Sequence, residues 1–141
     1  MNAPARLPDD APHLLVVDDD RRIRDLLSRF LASEGYRVST AETAADARAK
    51  LNGLSFDLLI LDVMMPVLDG FATMRKLREN PSHSKLPVLA VTAYAMQGDR
   101  ERILDSGFDG YLSKPIDSAA LSKALDQLLI AKKSQAAGSG G

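Results

Sequence analysis

With 141 residues, 45% of them apolar, the chain is sized for one globular domain with a full core of its own. Its 18 basic and 19 acidic residues nearly cancel, to a net charge of −1, which argues against a general nucleic-acid footprint. The lack of cysteine excludes disulfides, thiolate metal sites and cysteine nucleophiles, and no apolar segment reaches membrane-spanning length or forms a signal peptide, so the expectation is a cytoplasmic domain without membrane contact.

Residues 1–12, with Pro4, Pro8 and Pro12, show no periodicity and read as a flexible arm. His13 to Val17 is a short buried strand ending in Asp18-Asp19-Asp20. Ile23, Leu26, Leu27, Phe30 and Leu31 then follow helical spacing, with Asp20 as N-cap and Gly35 as the stop. Tyr36 to Ala41 alternates like an edge strand, and a small-faced helix uses Ala44, Ala47, Leu51 and Leu54. Leu58-Leu59-Ile60-Leu61 is an unbroken apolar run, as a strand buried on both faces requires, and it reaches Asp62. Asp69-Gly70 is read as turn chemistry.

Phe71, Met74 and Leu77 begin a third helix that ends near Asn80-Pro81. Leu86 to Thr92 is a fourth buried strand, and residues 95–106 a weakly amphipathic helix whose large apolar residues are Ile103 and Leu104. Gly110 to Ser113 is a fifth strand, running into Lys114-Pro115. A last helix, capped by Asp117 or Ser118, buries Leu121, Ala124, Leu125, Leu128 and Leu129, which closes the folded domain at 13–131. Residues 132–141 read as a flexible tail or linker, with no output domain after it.

Strands alternating with helices imply a parallel sheet covered on both faces, and right-handed crossovers bring every strand's carboxyl end to one edge. That edge collects Asp18, Asp19, Asp62, Thr92 and Lys114. Three neighbouring carboxylates repel, and a hard divalent cation such as Mg²⁺ relieves this with oxygen ligands. A carboxylate beside Mg²⁺ can act as nucleophile on phosphorus, while Lys114 offers charge and Thr92 a hydroxyl to the phosphoryl oxygens. Each group also has an ordinary explanation: a helix cap for the Asp run, a strand residue for Thr92, a surface lysine for Lys114. The coincidence of four strand ends at one edge favours the chemistry.

The chain resembles the receiver domains of two-component response regulators over residues 13 to about 131. The resemblance rests on Leu15-Val16-Val17-Asp18-Asp19, Leu61-Asp62-Val63-Met64-Met65-Pro66 with Asp69-Gly70, Val91-Thr92-Ala93, and Tyr111 with Lys114-Pro115. It implies a flavodoxin-like (βα)5 fold with strand order 2-1-3-4-5, an order the general rule for doubly wound sheets illustrates with a chemotaxis receiver. It further implies Asp62 as phosphoacceptor and Mg²⁺ held by Asp18, Asp19, Asp62 and the backbone carbonyl of Met64. Thr92 and Lys114 would bind the phosphoryl group, Tyr111 would be the switch aromatic, and the Lys114-Pro115 bond would be cis. Ile116 replaces the aromatic often found after the Lys-Pro pair. The first half is similar to receivers that precede a winged-helix DNA-binding domain, the second to stand-alone receivers and those fused to hybrid kinases.

The reading is a stand-alone receiver, or one excised from or engineered from larger regulators, that accepts phosphate from a histidine kinase or phosphotransfer protein. Its downstream protein target would bind the 95–131 face, with the chain a monomer or weak dimer and no nucleic acid bound. Met64 and Tyr94 lie two residues beyond Asp62 and Thr92, and their bulk is expected to tune the phosphoryl lifetime. The rivals are a Mg²⁺-dependent phosphohydrolase with an Asp nucleophile, and a phosphorylation-independent interaction module. Met64 stands where such hydrolases usually carry a second Asp, and no acidic or lysine position is lost as the inert module would require. His13 and His83 do not suggest a phosphohistidine donor.

Overall fold

The computed structural model describes residues 11–62, 70–93 and 97–139. Five strands and five helices alternate: β1 (His13–Val17), α1 (Arg21–Ser33), β2 (Arg37–Ala41), α2 (Ala44–Gly53), β3 (Leu58–Asp62), α3 (Gly70–Glu79), β4 (Val88–Thr92), α4 (Gln97–Asp105), β5 (Gly110–Ser113) and α5 (Ser118–Ser139). All strand pairs are parallel and the order is β2-β1-β3-β4-β5, the doubly wound arrangement expected from the sequence.

Side chains alternate across a strand, so each central strand feeds two cores. Leu15, Val17, Leu59, Leu61, Val88 and Ala90 point to one face, where Ala47 and Leu51 of α2, Met74 and Leu77 of α3, and Ile103 of α4 cover them. Leu14, Val16, Leu58, Ile60, Leu89 and Val91 point to the other, against Leu27 and Leu31 of α1 and Leu121 and Leu125 of α5. Every residue of β3 and β4 is buried, which is why these strands are continuous apolar runs.

The helix ends follow local chemistry. Asp20 caps α1 by accepting the Arg22 amide, and Thr43 caps α2 by accepting that of Asp46. Of the two candidates for α5, Asp117 is the cap, its carboxylate accepting the Ala120 amide. Gly35 follows α1 with φ +93°, a left-handed conformation that glycine tolerates without Cβ strain.

Four expectations need correction. Leu26 is exposed, because the buried side of α1 centres on Leu27 and Leu31, and the next residue round a helix is displaced by about 100°. Leu54 is exposed too: it is the extended residue after α2 and no longer follows the helical face. The fourth strand begins at Val88, since Pro87 has no amide to add to the ladder. Finally, α5 continues through Ser139 rather than giving way to a tail at 132. Its sequence there, with Ala131, Lys132, Lys133, Gln135, Ala136 and Ala137, consists largely of strong helix formers. Expectations for the arm up to residue 10, for Met64, Asp69, Tyr94 and the first residues of the 95–106 helix, and for the Phe71 side chain, lie outside the described residues.

Candidate functional site

The site sits where the strand order reverses, between the carboxyl ends of β1 and β3. Val17 pairs with Leu61, so the next residue of β1's chain, Asp18, falls beside Asp62. Asp62 is in register with Val91, which places Thr92 one step further out, and Thr92 pairs with Ser113 immediately before Lys114. The register alone therefore gathers the predicted group.

Asp18 and Asp62 are buried, at 2% and 4% exposure, and Thr92 at 1%, whereas Asp19 faces solvent. One carboxylate oxygen from each of Asp18, Asp19 and Asp62 lies within 4.8 Å of the others. Such a group is stable only with positive charge at hand. Lys114 provides it: its Nζ donates to Asp18 Oδ2 at 3.1 Å and to Asp62 Oδ2 at 3.4 Å. Burial works against charge on Lys114, but the hydrogen bond and field of Asp18, then those of Asp62, outweigh it and hold the ammonium above its ordinary pKa.

Asp18 is fixed at every polar group. Its amide donates to the Ala41 carbonyl (3.1 Å), and its Oδ1 accepts the Asp20 amide (2.9 Å). Its carbonyl accepts Nη1 of Arg24 (2.7 Å), while Arg24 Nη2 pairs with Glu42 at 3.4 Å. On the far side of the site, the Lys114 amide donates to the Thr92 carbonyl at 2.8 Å, tying β5's exit to β4's, and the Lys114–Pro115 peptide is cis, as the resemblance implies. Tyr111 is half-buried against the α2–α3–α4 core, with the Arg100 guanidinium 5.4 Å from its ring centre.

Sequence reasoning brought together Asp18, Asp19, Asp62, Thr92 and Lys114, and the structure places all five at one strand-end cluster. It passed over Arg24. The available signal was an arginine six residues after Asp18, one turn into a capped helix and so able to reach back over the Asp run. His13 opens β1 at the opposite end of the sheet, where Nε2 meets Ser39 Oγ at 2.8 Å and the ring packs on Phe56. It takes no part in the cluster.

A doubly wound sheet with buried carboxylates and a lysine at its switch point defines a class of small phosphoryl-accepting α/β domains. A family model for the response regulator receiver domain matches residues 14–126, and the chain belongs to that family. It is 43% identical over 118 residues to Protein PetR of Rhodobacter capsulatus, covering 84% of this chain and 48% of that protein. The chain thus spans about half of PetR's length. An uncharacterized 14.6 kDa protein of Leptolyngbya boryana is also 43% identical over 118 residues, with 84% and 90% covered. Among solved structures, the Vibrio cholerae chemotaxis protein CheY4 matches with TM-score 0.79 and 32% identity, over 84% of this chain and 98% of that one. As a receiver domain, the chain is a module of two-component signalling.

Proposed function

We propose that this receiver is switched by phosphorylation of Asp62. The observation that carries the reading is the triple carboxylate group with the Lys114 ammonium bridging its two buried members. In the transfer, an oxygen of Asp62 bonds to phosphorus while the P–N bond of a phosphohistidine breaks and its electron pair returns to the imidazole. Lys114 then exchanges its contact with the Asp62 carboxylate for one with a phosphoryl oxygen, and the Thr92 hydroxyl donates to another. The all-oxygen donor set of Asp18, Asp19 and Asp62 suits a hard cation, and Mg²⁺ bound there would neutralise charge on the phosphoryl oxygens. The Met64 carbonyl would complete the protein's share of the ligands.

The phosphoryl donor in this reading is a histidine kinase or a histidine phosphotransfer protein in the cytoplasm. No described helix is long and apolar enough to cross a membrane. The chain's chemistry is confined to its own phosphorylation and dephosphorylation. The output face is α4, β5 and α5: movement of Thr92 towards the phosphoryl group opens room for the Tyr111 ring, a differential contact that biases two arrangements of that face.

Incubation with acetyl phosphate and Mg²⁺, read by intact mass, tests the proposal. The expected result is one adduct of about 80 Da, the HPO₃ group transferred, that needs Mg²⁺ and is absent from a folded Asp62→Asn variant. Labelling of Asp62→Asn at the wild-type level refutes the assignment, and rapid multiple turnover of acetyl phosphate would make the chain a hydrolase.

A further inference from the structure

We infer that Arg24 is a positioning residue for the divalent cation, acting through the Asp18–Asp19 peptide. The inference rests on the reading of Asp18 and Asp19 as Mg²⁺ ligands. Asp19 is exposed and its direction depends on the peptide that joins it to Asp18. One end of that peptide is the Asp18 carbonyl, which accepts Arg24 Nη1 at 2.7 Å. A guanidinium presents its donors in a rigid fork, and the other arm here is engaged with Glu42 at 3.4 Å. The Arg24 side chain is only 12% exposed, so α1 delivers it as a fixed part and not as a solvated surface arginine. Holding the carbonyl fixes the rotation of the peptide plane, and with it the course of the chain into Asp19. The Asp18 side chain is already set by the Asp20 amide and Lys114, which leaves the peptide plane as the freedom that Arg24 removes.

A charge effect and a positioning effect of Arg24 have opposite signs, and that makes the inference sharp. Arginine is a cation beside a cation site, so through its field alone it weakens Mg²⁺ binding, and its removal would tighten binding. Through the peptide it pre-orients a ligand, and its removal weakens binding by the factor of about 10 or more typical of lost outer-sphere support.

The experiment is a Mg²⁺ titration of wild type, Arg24→Gln and Arg24→Lys by calorimetry, with the Asp19 amide followed by NMR and urea stability measured in EDTA. Arg24→Gln is expected to bind Mg²⁺ about tenfold more weakly. Arg24→Lys, which keeps the charge but cannot span the Asp18 carbonyl and Glu42 together, should fall between it and wild type. Equal or tighter binding by Arg24→Gln overturns the inference. If Arg24→Gln does not fold, Arg24→Lys decides alone: several-fold weaker binding supports the positioning role and wild-type binding refutes it. Failure of the wild type itself to bind Mg²⁺ removes the metal reading, and this inference with it.

Discussion

Replacing Lys114 by methionine keeps most of the side chain's stem and deletes a charge that touches both buried carboxylates. The ammonium lies 3.1 Å from Asp18 and 3.4 Å from Asp62, whose side chains are 3% and 5% exposed. Breaking a fully buried ion pair costs about 3–5 kcal/mol. Lys114 retains 23% exposure, so water screens part of the interaction and about 2–3 kcal/mol is the better expectation. For a domain of this size that is a fall in Tm of roughly 6–15 °C. If Mg²⁺ binds the cluster as proposed, the loss should be largest in EDTA and shrink at saturating Mg²⁺, because the metal would supply the missing positive charge without competing with an ammonium. The pH dependence has a definite sign. A lysine whose folded pKa is raised contributes its full stability below its unfolded pKa near 10.5, and loses it as pH rises through the higher folded value. The wild-type advantage should therefore hold through neutral pH and vanish only in strong alkali. Urea and thermal unfolding of both proteins, with EDTA and with Mg²⁺, measure all of this. Equal stability in EDTA, or a deficit that Mg²⁺ leaves unchanged, would refute the electrostatic account.

Asp19→Asn should melt above wild type in chelator by the equivalent of about 0.5–1 kcal/mol, since it removes one of three clustered like charges at the solvent side, and it should bind Mg²⁺ more weakly. A variant less stable than wild type in EDTA contradicts this. At the other end of the sheet, burial and then the Arg37 charge lower the pKa of His13, against the opposing pull of a Ser55 backbone hydrogen bond and Asp57. The neutral ring is the folded form, so His13 contributes stability above about pH 6.5 that is lost as pH falls through that value towards the folded pKa. His13→Gln should thus lose less stability than wild type between pH 7.5 and 5.5 in urea titrations; identical slopes would show that His13 is not the group responsible.

The elements most legible in the sequence were those whose burial is complete. Leu58 to Leu61 and Val88 to Val91 are apolar at every position because both faces are covered, and their shortness and flanking turn residues mark them as central strands. The site was legible for the same reason, since each polar residue ends one of these strands and parallel topology fixes which edge they share. Side chains that act across the fold were not. Arg78 donates to the carbonyls of His83, Ser84, Leu86 and Gly107 and to the carboxylate of Asp109, binding α3 to the turns before β4 and β5. A basic residue in a last helical turn is an ordinary complement to the helix dipole, so nothing in the sequence sets Arg78 apart. Leu26 and Leu54 show the matching limit: helical spacing identifies a stripe, but the stripe's edges are set by what packs on it.

The sheet is also graded in burial, from a sealed middle to more open margins. β3 and β4 have no exposed residue, so under the proposed reading a group added to Asp62 would meet a strand already packed on both faces. β5 has a neighbour on one side only, and its residues are half-buried or exposed. Lys114 follows β5 directly and reaches the carboxylate cluster, so under the proposed reading a change at Asp62 would bear on an edge strand. In mechanical terms the proposed switch would be a lever with its fulcrum built in: a packed centre holding Asp62 would send the displacement outward, towards the margin of the sheet.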